Sequence, residues 1–359
     1  VRRWAEKIAS KRAQRQARLA LPSGSNLSER KAGRLGVAGS VAGHIGEITV
    51  AESRPEAFTR PTSRKAEAHD AKDNAPANLD HRLAAFAEER YELHHNLLTG
   101  QAEFRPKGQD AAAFLPLTAR DLNSLCLAAH EAGIPCWDRD VSRFVTSDRL
   151  PDYHPFRDYF DRLPPWDGED RLDALARRVS DSALWVSGFR RWMLAVAAQW
   201  MGMGNGHANS VAPVLVSGRQ GLGKSTFCRN LLPPELSAYY TDSVDVANTA
   251  RMEQLLVEMG LINLDEFDRI PVRRHPALKN VMQLTDLHVR KAYRRDTLRL
   301  PRIASFIATS NSHELLSDPS GSRRFLCVEV ERPIDSTDIE HAQIYAQLKA
   351  MLLGGERHG

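Results

Sequence analysis

Apolar residues are sparse and without period up to about residue 78, and dense afterwards, which divides the chain before any motif is read. The stretch from Pro22 to Asn78 is rich in Ser, Gly, Ala, Pro and charge, and it lacks the apolar density needed to offset chain entropy. Residues 1–80 are therefore expected to be a disordered basic arm or linker. Tyr91, Glu92, Leu93, His94, His95 and Asn96 read as a strand, residues 97–100 as a turn, and residues 102–105 as the returning strand of a hairpin. A helix is predicted from the N-cap candidate Thr118 through Leu122, Leu125, Cys126 and Ala129, with Gly133 ending it, and a second over 139–147. Residues 81–150 thus form a small α+β accessory module. Residues 151–210 read as a helical connector, Pro-rich at first and then helical at about 170–179 and 184–202. From residue 211 the pattern changes to short, largely apolar runs, at 211–217, 260–264, 304–309 and 326–330. Such runs suit strands buried on both faces, so residues 211–350 are predicted to be an α/β unit with a mainly parallel sheet flanked by helices. Residues 351–359 are left as a tail.

Charge narrows the picture. The 359 residues carry +4, but residues 1–80 hold 15 Lys/Arg against 9 Asp/Glu, so the remainder is slightly acidic. Nucleic-acid binding by the folded part would need a local patch rather than bulk charge. The arm itself reads first as a solvated linker and second as a nucleic-acid arm. The four cysteines, Cys126, Cys136, Cys228 and Cys327, form no C-x-x-C pair and have no His-rich tract beside them. No zinc site is expected, and the pattern suits a reducing cytosol. The longest apolar stretch, 192–203, is too short to span a bilayer and is interrupted by Gln199. No apolar run follows the basic start. A soluble, cytoplasmic protein with no membrane partner is expected. Its first residue, Val1, suggests that the natural chain begins earlier.

The apolar run at 211–217 leads directly into Gly218-Arg219-Gln220-Gly221-Leu222-Gly223-Lys224-Ser225-Thr226. This fits G-x-x-x-x-G-K-[ST] with a strand before and a helix after, the context the motif requires. Gly218, Gly221 and Gly223 let successive backbone N–H groups turn inward onto phosphate oxygens. The helix beginning at Lys224 and Ser225, with Thr226 next, adds its positive end. Lys224 places a point charge on the β/γ-phosphates, and Ser225 offers its hydroxyl to Mg²⁺. The run 260–264 ends in Asp265 and Glu266, a Walker B pattern in which Asp265 holds Mg²⁺ and Glu266 activates the attacking water. The run 304–309 ends at Ser310-Asn311, where Asn311 can position that water. ATP with Mg²⁺ is the expected ligand pair.

Two basic features remain. Val289-Arg290-Lys291-Ala292-Tyr293-Arg294-Arg295-Asp296-Thr297-Leu298-Arg299-Leu300-Pro301-Arg302 holds six Lys/Arg and one acid, and a twisted hairpin is expected over 289–302. Arg290, Lys291, Arg294 and Arg295 would track a phosphate backbone while Tyr293 stacks on a base. Arg323 and Arg324 follow a turn. Either suits an arginine finger that reaches the γ-phosphate, often of a neighbouring subunit.

The compact order from Gly218 to Asn311 is similar to that of superfamily 3 helicases of viruses and mobile elements. The closer resemblance is to the virulence-associated protein E family of P-loop proteins. It is carried by Leu163-Pro164-Pro165-Trp166-Asp167-Gly168, by the glycine motif, by Leu264-Asp265-Glu266-Phe267-Asp268, and by Asp318-Pro319-Ser320-Gly321-Ser322-Arg323-Arg324-Phe325. It spans about 151–350. The resemblance implies a P-loop NTPase core of the AAA+/superfamily 3 type with an additional strand. It also implies hexameric rings, carriage on a prophage or genomic island, and a replicative role near primase functions. Family members continue past Gly359, so a further C-terminal segment is expected. The expectation is an ATP-hydrolysing, ring-forming DNA helicase or translocase acting on single-stranded DNA. The alternatives are an ATP-dependent regulatory or phage-defence switch without unwinding, and a DNA-binding module whose nucleotide is structural.

Overall fold

The computed structural model describes residues 76–109, 113–204, 206–289, 297–313 and 324–356. Helix α1, Pro76–Arg90, opens them and buries Leu83, Ala84, Phe86 and Ala87 on one face. It starts inside the segment expected to be disordered. Alanine supplies much of its helical preference and little amphipathic signal, which is why the pattern alone did not mark it. Strand β1, Tyr91–Asn96, and β2, Gln101–Pro106, pair antiparallel from Tyr91↔Pro106 to Asn96↔Gln101. That is the expected hairpin, with Gly100 at φ 70° in its turn. The two-residue β3, Leu115–Pro116, pairs with β2. Helix α2, Ala119–Glu131, begins at Thr118, whose hydroxyl and backbone exchange bonds with Asp121, so one orphan donor on each side is satisfied. Gly133, at φ 77°, ends it, and α3, Asp138–Val145, follows.

The sheet order of this module is β3-β2-β1-β4. Its fourth strand, β4 (Asp152–Tyr153), pairs parallel with His95 and Asn96. It comes from the segment expected to be connector. The rest of that segment is likewise structural. Helices α4 (Pro155–Asp161), α5 (Arg171–Arg177) and α6 (Ala183–Trp200) are built into the main core. In α6, Trp185, Phe189, Trp192 and Trp200 are all buried. A helix apolar nearly all round belongs inside, and this one carries most of the long apolar stretch. Gln199, which interrupts the stretch, is buried and satisfied: its Nε2 donates to the carbonyls of Ile303 and Ala304, both at 3.1 Å.

Among the described residues the main sheet has five strands in the order β11-β5-β10-β7-β6, with every neighbouring pair parallel. They are β5 (Ala212–Val216), β6 (Tyr240–Thr241), β7 (Leu261–Leu264), β10 (Ser305–Ser310) and β11 (Phe325–Glu329). Alternate side chains enter opposite layers, as the two-residue period requires. Leu215 and Ile307 pack with α5, α6, α7 (Lys224–Asn230) and α10 (His341–Leu353). Val214, Val216, Ile262 and Phe306 pack with α8 (Thr249–Glu258) and α9 (His275–Val281). The strand that ends in the acidic pair, β7, is not the sheet neighbour of β5. Instead β10 stands between β5 and β7.

A separate antiparallel pair, β8 (Asp286–Val289) and β9 (Leu298–Pro301), occupies the region of the expected basic hairpin. Its foot is fixed by Arg302, which is buried. The guanidinium donates to the carbonyls of Ala304 (2.6 Å), Met282 (2.6 Å) and Asn209 (3.1 Å). No helix among the described residues is long and apolar enough to cross a membrane.

Candidate functional site

The site forms where β5, β7 and β10 end, because parallel strands deliver their C-terminal loops to one edge. After β5 the Ser217 N–H is held by the carbonyl of Ser310, so the loop leaves the sheet beside β10. Gly221 and Gly223 adopt φ 79° and 81°, values that side chains with a Cβ rarely take. At Gly223 a Cβ would also lie 3.2 Å from the carbonyl oxygen of Ile334. The loop is anchored outside by Ile334 N–H, which donates to Leu222 O at 2.9 Å. Gly218 N–H donates to Nε2 of His313 at 3.0 Å, and the other ring nitrogen of His313 lies 3.5 Å from Glu329.

Lys224 is buried beneath this loop. Its ammonium donates to Ser217 O (3.1 Å) and to Oδ1 of Asn311 (3.0 Å). Desolvation lowers its pKa, and the charges of Asp268 and Asp265 work against that shift. Ser225 donates to Oδ1 of Asp265 at 3.0 Å, and Thr309 donates to the same oxygen. Thr309 Oγ1 also accepts from the Glu266 N–H at 3.3 Å. These oxygens are hard donors of the kind Mg²⁺ takes. Glu266 sits at φ 51°, in the left-handed region, and its carboxylate is 2.6 Å from Arg269. The loop, Lys224, Ser225, the exposed Thr226, Asp265, Glu266, Thr309 and Asn311 line one open cleft of about 380 Å³.

Asp268 organises the Asn311 side. Its Oδ1 accepts from Ser310 Oγ (2.9 Å) and from Asn311 N–H (3.0 Å). Burial pushes the Asp268 carboxyl up, but the Asn311 N–H and the Ser310 hydroxyl outweigh it, and the pKa lies below the usual carboxylate range.

Of the sequence-predicted residues, Gly221, Gly223, Lys224, Ser225, Thr226, Asp265, Glu266 and Asn311 meet at the cleft, whereas Gly218 is not among its lining residues and bonds to His313. Arg324 does not join them. It precedes Phe325, which pairs with Ala212 at the start of β5, the opposite end from the loop. A five-residue strand separates the two ends by about 16 Å. Arg323, Arg290, Lys291, Tyr293, Arg294 and Arg295 lie outside the described residues, as does almost all of the expected N-terminal arm. Thr309 and His313 carried no predicted role, and Asp268 stood only within the motif of the family resemblance. Thr309 and Asp268 stand within three residues of motif positions, a signal that proximity could have raised. His313 reaches Gly218 only through the fold. Cys126 and Cys136, for which no zinc site was expected, gather with His130 in the accessory module.

A family model described as the virulence-associated protein E-like domain matches residues 160–358. No curated protein matches the chain. Among solved structures, it is similar to the A form apo structure of the NrS-1 C-terminal region. The TM-score is 0.43 and the identity 13%, covering 74% of this chain and 65% of that one. A second apo structure of the same region gives 0.44 and 13%, covering 80% and 70%.

Proposed function

The chain belongs to the virulence-associated protein E-like family, and from that premise we propose that it hydrolyses ATP on a P-loop core. Its energy would drive a hexameric ring along single-stranded DNA during replication of a prophage or other mobile element, beside primase or other replication partners. One observation carries the proposal. The ammonium of Lys224, the Ser225–Asp265 pair at 3.0 Å and the carboxamide of Asn311 converge on a loop whose glycines hold positive φ. The strand β10 between β5 and β7 supports it, because it brings Asn311 between the loop and the acids.

On this reading the triphosphate lies over the loop, where backbone N–H groups and Lys224 counter its charge. Ser225 and Asp265 would hold Mg²⁺, which when bound neutralises charge on the phosphates. Glu266 takes a proton from water as the water oxygen bonds to the γ-phosphorus. The bond to the β–γ bridging oxygen breaks with its electron pair, leaving ADP and phosphate, and the proton passes from Glu266 to solvent. Arg324 stands at the far end of β5 from its own loop, so a finger from 323 or 324 would serve a neighbouring chain. The basic residues 290–302 would contact the DNA.

The test is hydrolysis with and without single-stranded DNA at two salt concentrations, alongside solution mass. Lys224→Ala should lose nucleotide binding. Glu266→Gln should keep it while turnover falls by about 10² or more. Replacing Arg290, Lys291, Arg294 and Arg295 with Ala should remove the DNA stimulation and flatten its salt dependence by about 0.7 logarithmic units per lost phosphate contact. Intact protein that takes up no nucleotide would end the proposal.

The ion pair of Glu266 with Arg269 favours a second reading, an ATP-dependent switch held quiet until a partner withdraws the arginine. Basal turnover unchanged by DNA, but raised in Arg269→Ala, would select it.

A further inference from the structure

In the accessory module, Cys126 and His130 are spaced i, i+4 on α2 and therefore share one face of the helix. Gly133 then takes φ 77° and Ile134 N–H bonds back to the carbonyl of Ala129 at 2.9 Å, which reverses the chain. The reversal brings Cys136 under the same face. Its own carbonyl accepts from the Cys126 thiol at 3.6 Å and from Nε2 of His130. The three ligand atoms, two sulfurs and an imidazole nitrogen, all lie within 4.8 Å of one another. Bonds of about 2.3 Å to sulfur and 2.0 Å to nitrogen put the edges of a tetrahedral zinc site near 3.5–4 Å. The donors need to draw in by no more than about 1 Å, the order of a rotamer adjustment. Cys136 is buried, Cys126 is half-buried and His130 is exposed, so the cluster opens toward solvent on the histidine side.

We propose that Cys126, His130 and Cys136 bind one Zn²⁺ ion through two thiolates and an imidazole, with water in the fourth position. Binding releases the two thiol protons to solvent and oxidises nothing. The histidine separates this from a simple thiol pair, since a disulfide between Cys126 and Cys136 makes no use of an imidazole. The ion ties the end of α2 to the entry of α3 and so fixes the loop that carries the exposed Trp137. The spacing C-x₃-H-x₅-C contains no C-x-x-C pair. The helix and the chain reversal together, rather than a short knuckle, create the site.

The experiment loads the full, reduced chain with Zn²⁺ or Co²⁺ and measures bound metal by elemental analysis and the cobalt absorption spectrum. The expected result is about one equivalent per chain with the thiolate–cobalt charge-transfer band of a tetrahedral site. Both are lost in Cys126→Ser and Cys136→Ser, weakened in His130→Ala, and kept in Cys327→Ser. Should the serine variants fail to fold, hydrogen exchange of residues 132–137 in the wild-type chain decides. Protection that a chelator removes and Zn²⁺ restores supports the site. Failure of the wild type to take up either ion near one equivalent overturns it. So does uptake that survives Cys136→Ser, or exchange of 132–137 that is indifferent to zinc.

Discussion

Glu266 combines a positive φ with an ion pair, and a few ångströms away Asp268 spends both of its acceptor bonds on the Ser310–Asn311 turn. Positive φ at a non-glycine residue costs on the order of 1 kcal/mol and persists where its surroundings enforce it, here through the Glu266 N–H on Thr309. Asp268 touches neither Lys224 nor the acids through a hydrogen bond, so its role is to position Asn311. Asp268→Ala is expected to lower kcat by about a hundredfold while the nucleotide Kd stays within about twofold, as steady-state kinetics beside calorimetry would register. Equal losses in both would make the residue a binding group. The depressed pKa also sets a pH sign. The folded-state value lies below the unfolded one, so the stabilisation is complete above the ordinary carboxylate range. It is lost as pH falls below about 4 toward the folded value. Thermal melts across the acid limb should therefore be flatter in Asp268→Ala than in the wild type.

Two joints govern the elements. The first is Gly223, between the loop and α7. Alanine there meets both the left-handed backbone and the carbonyl of Ile334 at 3.2 Å. Gly223→Ala is expected to cost about 1–2 kcal/mol, read as a lower urea midpoint, with nucleotide affinity falling in parallel. The second is Arg302, between β9 and β10. Burial pushes its pKa down to about 9, and the three carbonyl acceptors hold it as a cation at neutral pH. Arg302→Met keeps the bulk but strands the carbonyls of Met282 and Asn209, while that of Ala304 keeps its bond from Gln199 Nε2. The expected loss is about 2 kcal/mol or more, at about 1–3 kcal/mol for each buried carbonyl left without a donor. Urea unfolding would measure it, and a loss under about 1 kcal/mol would mean that water replaces the guanidinium.

For the whole molecule, the position of Arg324 makes a distinct demand. It lies at the N-terminal end of β11, while the glycine loop lies at the C-terminal end of β5. If residues 323 and 324 act on a neighbouring chain, Lys224→Ala and a double Arg323→Ala, Arg324→Ala chain should each be inactive alone. Mixing them should restore hydrolysis, because some interfaces then pair an intact loop with an intact arginine. An inactive mixture, with assembly verified by solution mass, would place any finger within one chain. The module and the core are joined by at least one direct bond, Asn96 Nδ2 to Tyr239 Oη at 2.8 Å, and Asn96 also holds Glu103. The accessory sheet is thus coupled to the layer that carries β6 and β7.

Short-range chemistry was readable from residue order: the glycine loop between strand and helix, the acids ending β7, the Asn after β10, and the Thr118 cap. Each rests on neighbours a few positions apart, where φ, capping and strand ends are local properties. The helices expected at about 170–179 and 184–202 formed, but their segment is part of the main core and the accessory sheet rather than a connector, and nothing in the pattern marked α1. The apolar patterns did not say which layer they face. The strand order, the anchoring of Gly218 by His313, the binding of Asn311 to Asp268 and the gathering of Cys126, His130 and Cys136 came only with the fold. Those contacts join residues brought together by chain reversals and crossovers. Their energies depend on distance in space, which residue order does not encode until the core has fixed it.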